Sequence, residues 1–335
     1  MEAEAAEGAA VVARQLRANA ALVADIGARL RAHPPRAVIA CARGSSDHAA
    51  TYAKYLIETR ARVLTAFAAP SVSSVYGIAQ DLRDCLFVAI SQSGKSPDLL
   101  ATVAAARRSG ALVIALCNVP DAPLCAAADF AIPLHAGAER SVAATKSYLA
   151  SLSALAHLTA EWTADAALLA DLHALPEALS AGWQLDWSAA LPLLRGAEHL
   201  YVLGRGLGLG VAREVALKCK ETCALHAEAY SGAEVRHGPL ALLGPKFPAL
   251  ILAQDDATRP GLEVLAAELA ARGVDVLIAG AAAAGATELP TRSAPAALAP
   301  LLLASSAYRL LASLAPLRGL DPDHPPHLRK VTETV

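Results

Sequence analysis

Residues 86–108 read LFVAISQSGKSPDLLATVAAARR. An apolar run ends in Ser91, Gln92, Ser93, Gly94 and Ser96, and Pro97 then opens an Ala/Leu-rich stretch. A short run apolar at every position marks a strand buried on both faces, and Pro suits the first turn of a helix. The segment therefore predicts strand, turn and helix, the unit of a parallel α/β sheet. Its turn has two readings. Ser96 ahead of Pro97 fits a plain helix cap. Hydroxyls and free N–H groups at a helix start also fit an anion such as phosphate.

The same alternation extends in both directions. Residues 1–33 read as helical, 37–44, 63–69, 86–91, 112–117 and 131–134 as strands, and 142–162 as a closing helix. The second half repeats the plan: HLYVLGRG (199–206) matches AVIACARG (37–44), PALILAQD (248–255) matches LFVAISQS, and VDVLIAG (274–280) matches ALVIALC, at an offset of about 162 residues. This predicts an α/β fold of two tandem domains, each a mostly parallel sheet flanked by helices. The expected segments are an N-terminal helical arm (1–33), a first domain (34–170), a linker near Ala174 to Trp187, a second domain (188–316) and a tail (317–335). The copies differ in chemistry, since QDDATRP replaces SQSGKSP.

Composition narrows the function. With 335 residues, 55% of them hydrophobic and 18% charged, the chain has material for large cores rather than disorder. A net charge of −2 without a basic block argues against nucleic acid as a main partner. The acidic start MEAEAAEGAA is unlike a signal peptide. The stretch from Ala294 to Leu314, interrupted by Pro295, Pro300 and Arg309, reads as a buried helix rather than a membrane span. Six scattered cysteines without a CxxC pair fit a reduced cytoplasmic protein and neither a disulfide framework nor a zinc site.

Three further stretches carry chemistry. CARGSSD (41–47) places Ser45 and Ser46 in a second hydroxyl-rich turn, and two such turns on neighbouring strands could face one ligand. GRGLGLG (204–210) fails the dinucleotide pattern, because Leu209 and Val211 stand where glycine is needed. In VAREVALKCKETC, Glu214, Lys218 and Glu221 fall on one helical stripe. That stripe is either a solvated face with an ion pair or, on a helix opening at a strand's carboxyl end, a proton-carrying site. His237 sits in a turn, RHGP, without metal-ligand spacing.

Taken together, ARGSS, SQSGKSPD, GAERSVAATKS, EVALKCKE, HAEAYSGAEVRHGPLAL and HLRKVTETV resemble the double-SIS (sugar isomerase) family. They are similar to the isomerase half of glucosamine-6-phosphate synthase and to stand-alone type II glucosamine-6-phosphate deaminases. The resemblance implies five-stranded, flavodoxin-like, doubly wound sheets and a homodimer with shared active sites. It implies Ser45, Ser46, Ser91, Gln92, Ser93 and Ser96 around a sugar phosphate, with Val142 and Glu214 bordering the sugar. It makes Glu221 the proton carrier between C1 and C2, His237 the ring-opening group from a neighbouring subunit, and Lys330 and Lys218 the cations at the open-chain carbonyl. No metal or organic cofactor is implied. Arg43, Lys95 and Ala144 depart from the synthase pattern, and the expected start at Met1 leaves out a glutaminase domain.

The expected activity is conversion of glucosamine 6-phosphate and water to fructose 6-phosphate and ammonia. The alternatives are another phosphosugar isomerase, a galactosamine-phosphate deaminase, a sugar–amine deglycase and, more distantly, a non-enzymatic sugar-phosphate sensor.

Overall fold

The computed structural model describes residues 1–330. β1 (Ala37–Cys41), β2 (Thr65–Phe67), β3 (Cys85–Ser91), β4 (Leu112–Cys117) and β5 (Phe130–Pro133) form one sheet in the order β2-β1-β3-β4-β5. β6 (His199–Gly204), β7 (His226–Ser231), β8 (Ala249–Leu252), β9 (Val276–Ala279) and β10 (Thr287–Leu289) form another in the order β10-β9-β8-β6-β7. All neighbouring strands are parallel. Read from its other edge, the second sheet has the winding of the first. Both follow the doubly wound order in which the chain reverses between the first and third strands.

β7 and β10 escaped the sequence reading because both are edge strands. β7 leaves His226 and Glu228 exposed, and a half-solvated edge lacks the continuous apolar signal of a central strand. By contrast, every residue of β3 is buried. The expected linker near Ala174 to Trp187 is largely helical, since the helix Ala166–Gly182 runs through Pro176. Its Ala- and Leu-rich sequence outweighs the local cost of the proline.

The chain divides into two compact units that interleave in sequence. The first-sheet unit takes Ala10–Glu139, Ser147–His173 and, among the described residues of the tail, Arg329 and Lys330. Its core packs Phe87, Ala89, Val113 and Ala115 against Leu99, Val103 and Leu124. The second-sheet unit takes Met1–Ala9, Arg140–Lys146 and Ala174–Leu328. On one face of that sheet, Tyr201, Leu203, Ile251 and Ile278 pack under Leu262, Leu265 and Leu269 of the helix Arg259–Ala271. The helix Gly208–Cys223 covers the other face and packs on the helix Ala299–Leu317. The latter is apolar and long enough to be weighed as a membrane span, but most of it is buried inside this unit.

Candidate active site

In the first-sheet unit the strand order puts the loops after β1 and β3 side by side, at the point where the winding reverses. Ligands of open α/β sheets bind at this crevice. Gly94 makes the second loop possible. It has φ +64°, and a Cβ there would stand 2.5 Å from the Ala122 Cβ and 2.6 Å from the Cys117 Sγ. The Ser91 Oγ accepts the Gly94 N–H at 3.0 Å and the Ser93 Oγ accepts the Lys95 N–H at 3.4 Å. Half-buried Gln92 accepts the Asn118 N–H on its carbonyl at 3.3 Å. Ser96 does occupy the N-cap of the helix Pro97–Arg108, yet its side chain makes no capping bond. Ser45 and Ser46 open the helix Ser45–Arg60 behind Gly44. The crevice thus gathers two helix N-termini and their serines, an arrangement suited to an anion.

A charged strut joins the two loops. The Arg43 Nε and Nη2 both donate to the Asp98 Oδ2, at 3.0 and 2.7 Å. Asp98 is buried in the first turn of the helix Pro97–Arg108, and its Oδ1 accepts the Leu99 N–H at 2.7 Å. The strut engages the charge of Arg43, while Lys95 stands exposed.

Lys330 lies in the same unit, against a residue that sequence reasoning missed. Glu139 is buried and accepts the Ser147 hydroxyl at 2.5 Å and the Ser147 N–H at 3.1 Å, with the Lys330 Nζ 3.6 Å from its Oε2. Glu139 belongs to the GAERSVAATKS block, but nothing in its spacing marks it for burial.

In the second-sheet unit the stripe Glu214, Lys218 and Glu221 comes together, turned inward rather than toward solvent. Glu214 and Lys218 have no exposed surface. The Lys218 Nζ lies 2.5 Å from the Glu221 Oε2 and 3.4 Å from the Glu214 Oε1, and the Tyr308 hydroxyl donates to Glu214 at 3.0 Å. Burial by itself would lower the Lys218 pKa, but attraction to Glu214 and Glu221 outweighs it and holds the ammonium above its ordinary value. Glu221, with 20% of its side chain exposed, is the member that meets solvent. An ion pair that gives up so much hydration is weak evidence for stability and better evidence for use.

Position corrects one expectation. The helix Gly208–Cys223 starts at the carboxyl end of β6, but Glu221 is near its other end, roughly 20 Å along the axis at about 1.5 Å per residue. Glu221 therefore does not sit at the carboxyl edge of its own sheet. His237 is exposed and follows the short helical turn Glu234–Arg236. That segment lies on the sheet face covered by the helix Arg259–Ala271: Val235 joins its core, and Arg236 pairs with Glu268 at 2.7 Å. The sheet therefore stands between His237 and the Glu221 helix. Val142 is half-buried in a stretch whose Arg140 and Ser141 N–H groups donate to Glu4 at 2.5 and 3.2 Å.

The second sheet's own reversal crevice is filled. Gln254, fully buried after β8, donates from its Nε2 to the Arg205 carbonyl at 2.8 Å, to Asp256 at 2.9 Å and to Thr258 at 2.9 Å. The glutamine plug takes the space between the loops after β6 and β8 that the serine turns line in the first sheet, which accounts for the unequal chemistry of the two copies at this crevice. Among the described residues, no group of three or more His, Cys, Asp or Glu is placed to hold a metal ion.

Two doubly wound sheets, one with a serine-lined crevice at its winding reversal and the other covered by a helix with a buried carboxylate–lysine network, define a duplicated α/β protein. The chain belongs to the SIS domain family, whose model matches residues 33–160 and 193–283. A glutamine–fructose-6-phosphate aminotransferase (isomerizing) from Aeropyrum pernix is 34% identical over 312 residues, covering 87% of this chain and 50% of the relative. This chain thus spans about half the length of that relative. A chain from Silicibacter pomeroyi DSS-3 assigned as a phosphosugar isomerase is 42% identical with a TM-score of 0.93, covering 96% of this chain and 99% of the other. The C-terminal domain of glucosamine-fructose-6-phosphate aminotransferase from Francisella tularensis is 26% identical with a TM-score of 0.85, covering 96% and 97%.

Proposed function

We propose that the chain is an amino-sugar-phosphate deaminase that works by aldose–ketose chemistry, with glucosamine 6-phosphate as substrate. The observation that carries this is the pairing of Glu221, a partly exposed carboxylate, with the fully buried Lys218 at 2.5 Å. The carboxylate takes the proton from C2 of the open-chain amino aldose and returns it to C1. The 2-amino group becomes a 2-imine, and water hydrolyses the imine to fructose 6-phosphate and ammonia. One group that both removes and returns a proton must hold it reversibly, as a carboxylate does. The cation beside it opposes charge growing on the C1 oxygen as the enolamine forms.

In this reading Ser45, Ser46, Ser91, Gln92, Ser93 and Ser96 take the phosphate, Val142 borders the sugar and Lys330 meets the carbonyl, whereas Glu214, fully buried against Lys218 and Tyr308, holds Lys218 in place instead of bordering the sugar as its sequence suggested. His237 opens the ring. Its place across the sheet from the Glu221 helix supports delivery from a second copy, and hence a homodimer. Six free cysteines support a cytoplasmic setting.

The deciding experiment is a coupled ammonia assay with 6-phosphates of glucosamine, galactosamine and simple amine adducts, run beside an assay for isomerisation of fructose 6-phosphate. Ammonia from glucosamine 6-phosphate is expected. Isomerisation without ammonia from any of them would restrict the enzyme to plain aldose–ketose exchange.

A further inference from the structure

The second-sheet unit contains a cavity of about 240 Å³ outside every group used above except the buried Gln254 plug. Its wall is built from the chain leaving β8, Gly280 after β9, residues 291–294 and the first half of the helix Ala299–Leu317. The carboxyl ends of parallel strands are where α/β sheets take ligands. Gly280 keeps this end open: it has φ +83°, and a Cβ there would stand 2.0 Å from the Ala253 carbonyl oxygen, so no side chain projects from that turn.

The lining has a definite chemistry. Two guanidiniums, Arg259 and Arg292, and one carboxylate, Asp255, give it a net charge of +1. Arg259 is fixed by Asp255 at 2.8 Å and Glu263 at 3.4 Å. Arg292 is exposed and forms no ion pair among the described residues. Its planar fork matches a carboxylate or phosphate oxygen pair. The hydroxyls of Thr291, Ser293 and Ser306 can meet a polar body, and Leu302 and Leu303 supply an apolar floor. The volume is far above the 10–15 Å³ or so that one water needs and lies just under the roughly 300 Å³ at which drug-sized pockets begin.

From this we infer that the second-sheet unit carries a pocket for a small organic anion with one charged group, gripped by Arg292 and separate from the serine crevice. The size and the single excess charge fit a few-carbon hydroxyacid or phosphomonoester and are too small for a nucleotide. The inference does not depend on the deaminase reading.

Calorimetric titration of the full chain tests it, with lactate, glycerol 3-phosphate and inorganic phosphate as probes. Because the serine crevice also attracts phosphate, the phosphate-bearing probes are titrated into Ser91→Ala/Ser96→Ala protein. Lactate or glycerol 3-phosphate is expected to bind, and adding Arg292→Ala should weaken binding about tenfold or more, as loss of a charge-assisted contact does. Ser293→Asp, which adds a negative charge at the mouth, should weaken it independently. Both changes sit on exposed positions, so melting without ligand and sugar-phosphate turnover should stay at the parent's values. Absence of binding by both organic probes, or binding untouched by Arg292→Ala and Ser293→Asp, would overturn the pocket. Inorganic phosphate binding more tightly than either organic probe would overturn its assignment to an organic anion.

Discussion

Glu139 and Lys330, 191 positions apart in the chain, meet with the Lys330 Nζ 3.6 Å from a buried Glu139 carboxylate that Ser147 also holds. A buried carboxylate is costly unless donors surround it, and Ser147 and Lys330 provide them. In the proposed reaction this tether would hold Lys330 before substrate arrives and spare the entropy of positioning it.

Glu139→Gln keeps the shape and the bonds to Ser147 but loses the charge facing Lys330. It should lower kcat about tenfold with little change in melting temperature. In a Lys330→Ala background the same change should cost almost nothing more, because coupled residues are not additive. Equal costs in both backgrounds would make Glu139 independent of Lys330.

The serine crevice predicts a binding defect. Ser91→Ala with Ser96→Ala should raise KM for the sugar phosphate at least about tenfold, since each hydrogen bond to a charged group is worth roughly 1.5–3 kcal/mol. Ser96 spends no hydroxyl on capping its helix, so the loss of stability should be limited to the roughly 1–3 kcal/mol of the Gly94 N–H that Ser91→Ala leaves without its acceptor. A drop in melting temperature with unchanged KM would reduce the cluster to loop structure.

For Glu221 the decisive reading is isotope exchange. Substrate incubated in heavy water should take up deuterium with the wild-type enzyme and not with Glu221→Gln, whose kcat should fall at least about 10²-fold. Normal exchange in the variant would move the proton transfer to another group.

The sheet between His237 and the Glu221 helix predicts complementation. Mixed Glu221→Gln and His237→Ala proteins, each inactive alone, should regain activity once subunits exchange. Verified hybrids without activity would count against a site shared between copies.

Lys218 sets an alkaline limit. Its pKa is raised in the folded state, so its stabilisation is complete below the unfolded value of about 10.4 and is lost as pH climbs through the higher folded value. Lys218→Met leaves two carboxylates facing each other and should cost about 3–5 kcal/mol near neutrality. In urea unfolding, the gap between wild type and Lys218→Met should narrow above about pH 10.4. A constant gap would trace the loss to packing.

Much of this protein was determined locally. The run through β3, its turn and its helix, repeated once along the chain, defined two parallel sheets, because strand burial and helix starts depend on near neighbours in sequence. The serines of the crevice were legible for the same reason: they lie in two short turns. Helical spacing placed Glu214, Lys218 and Glu221 on one stripe, but a stripe has no inside or outside until something packs on it. The helix Ala299–Leu317, with Tyr308, decided that Glu214 and Lys218 are buried. The Arg43–Asp98 strut, the Glu139–Lys330 contact, the Gln254 plug and the sheet between His237 and Glu221 also came only from the tertiary structure. Each joins residues from separate segments of the chain. The partner of a buried charge is chosen by which segments the core brings together, and no local periodicity encodes that choice.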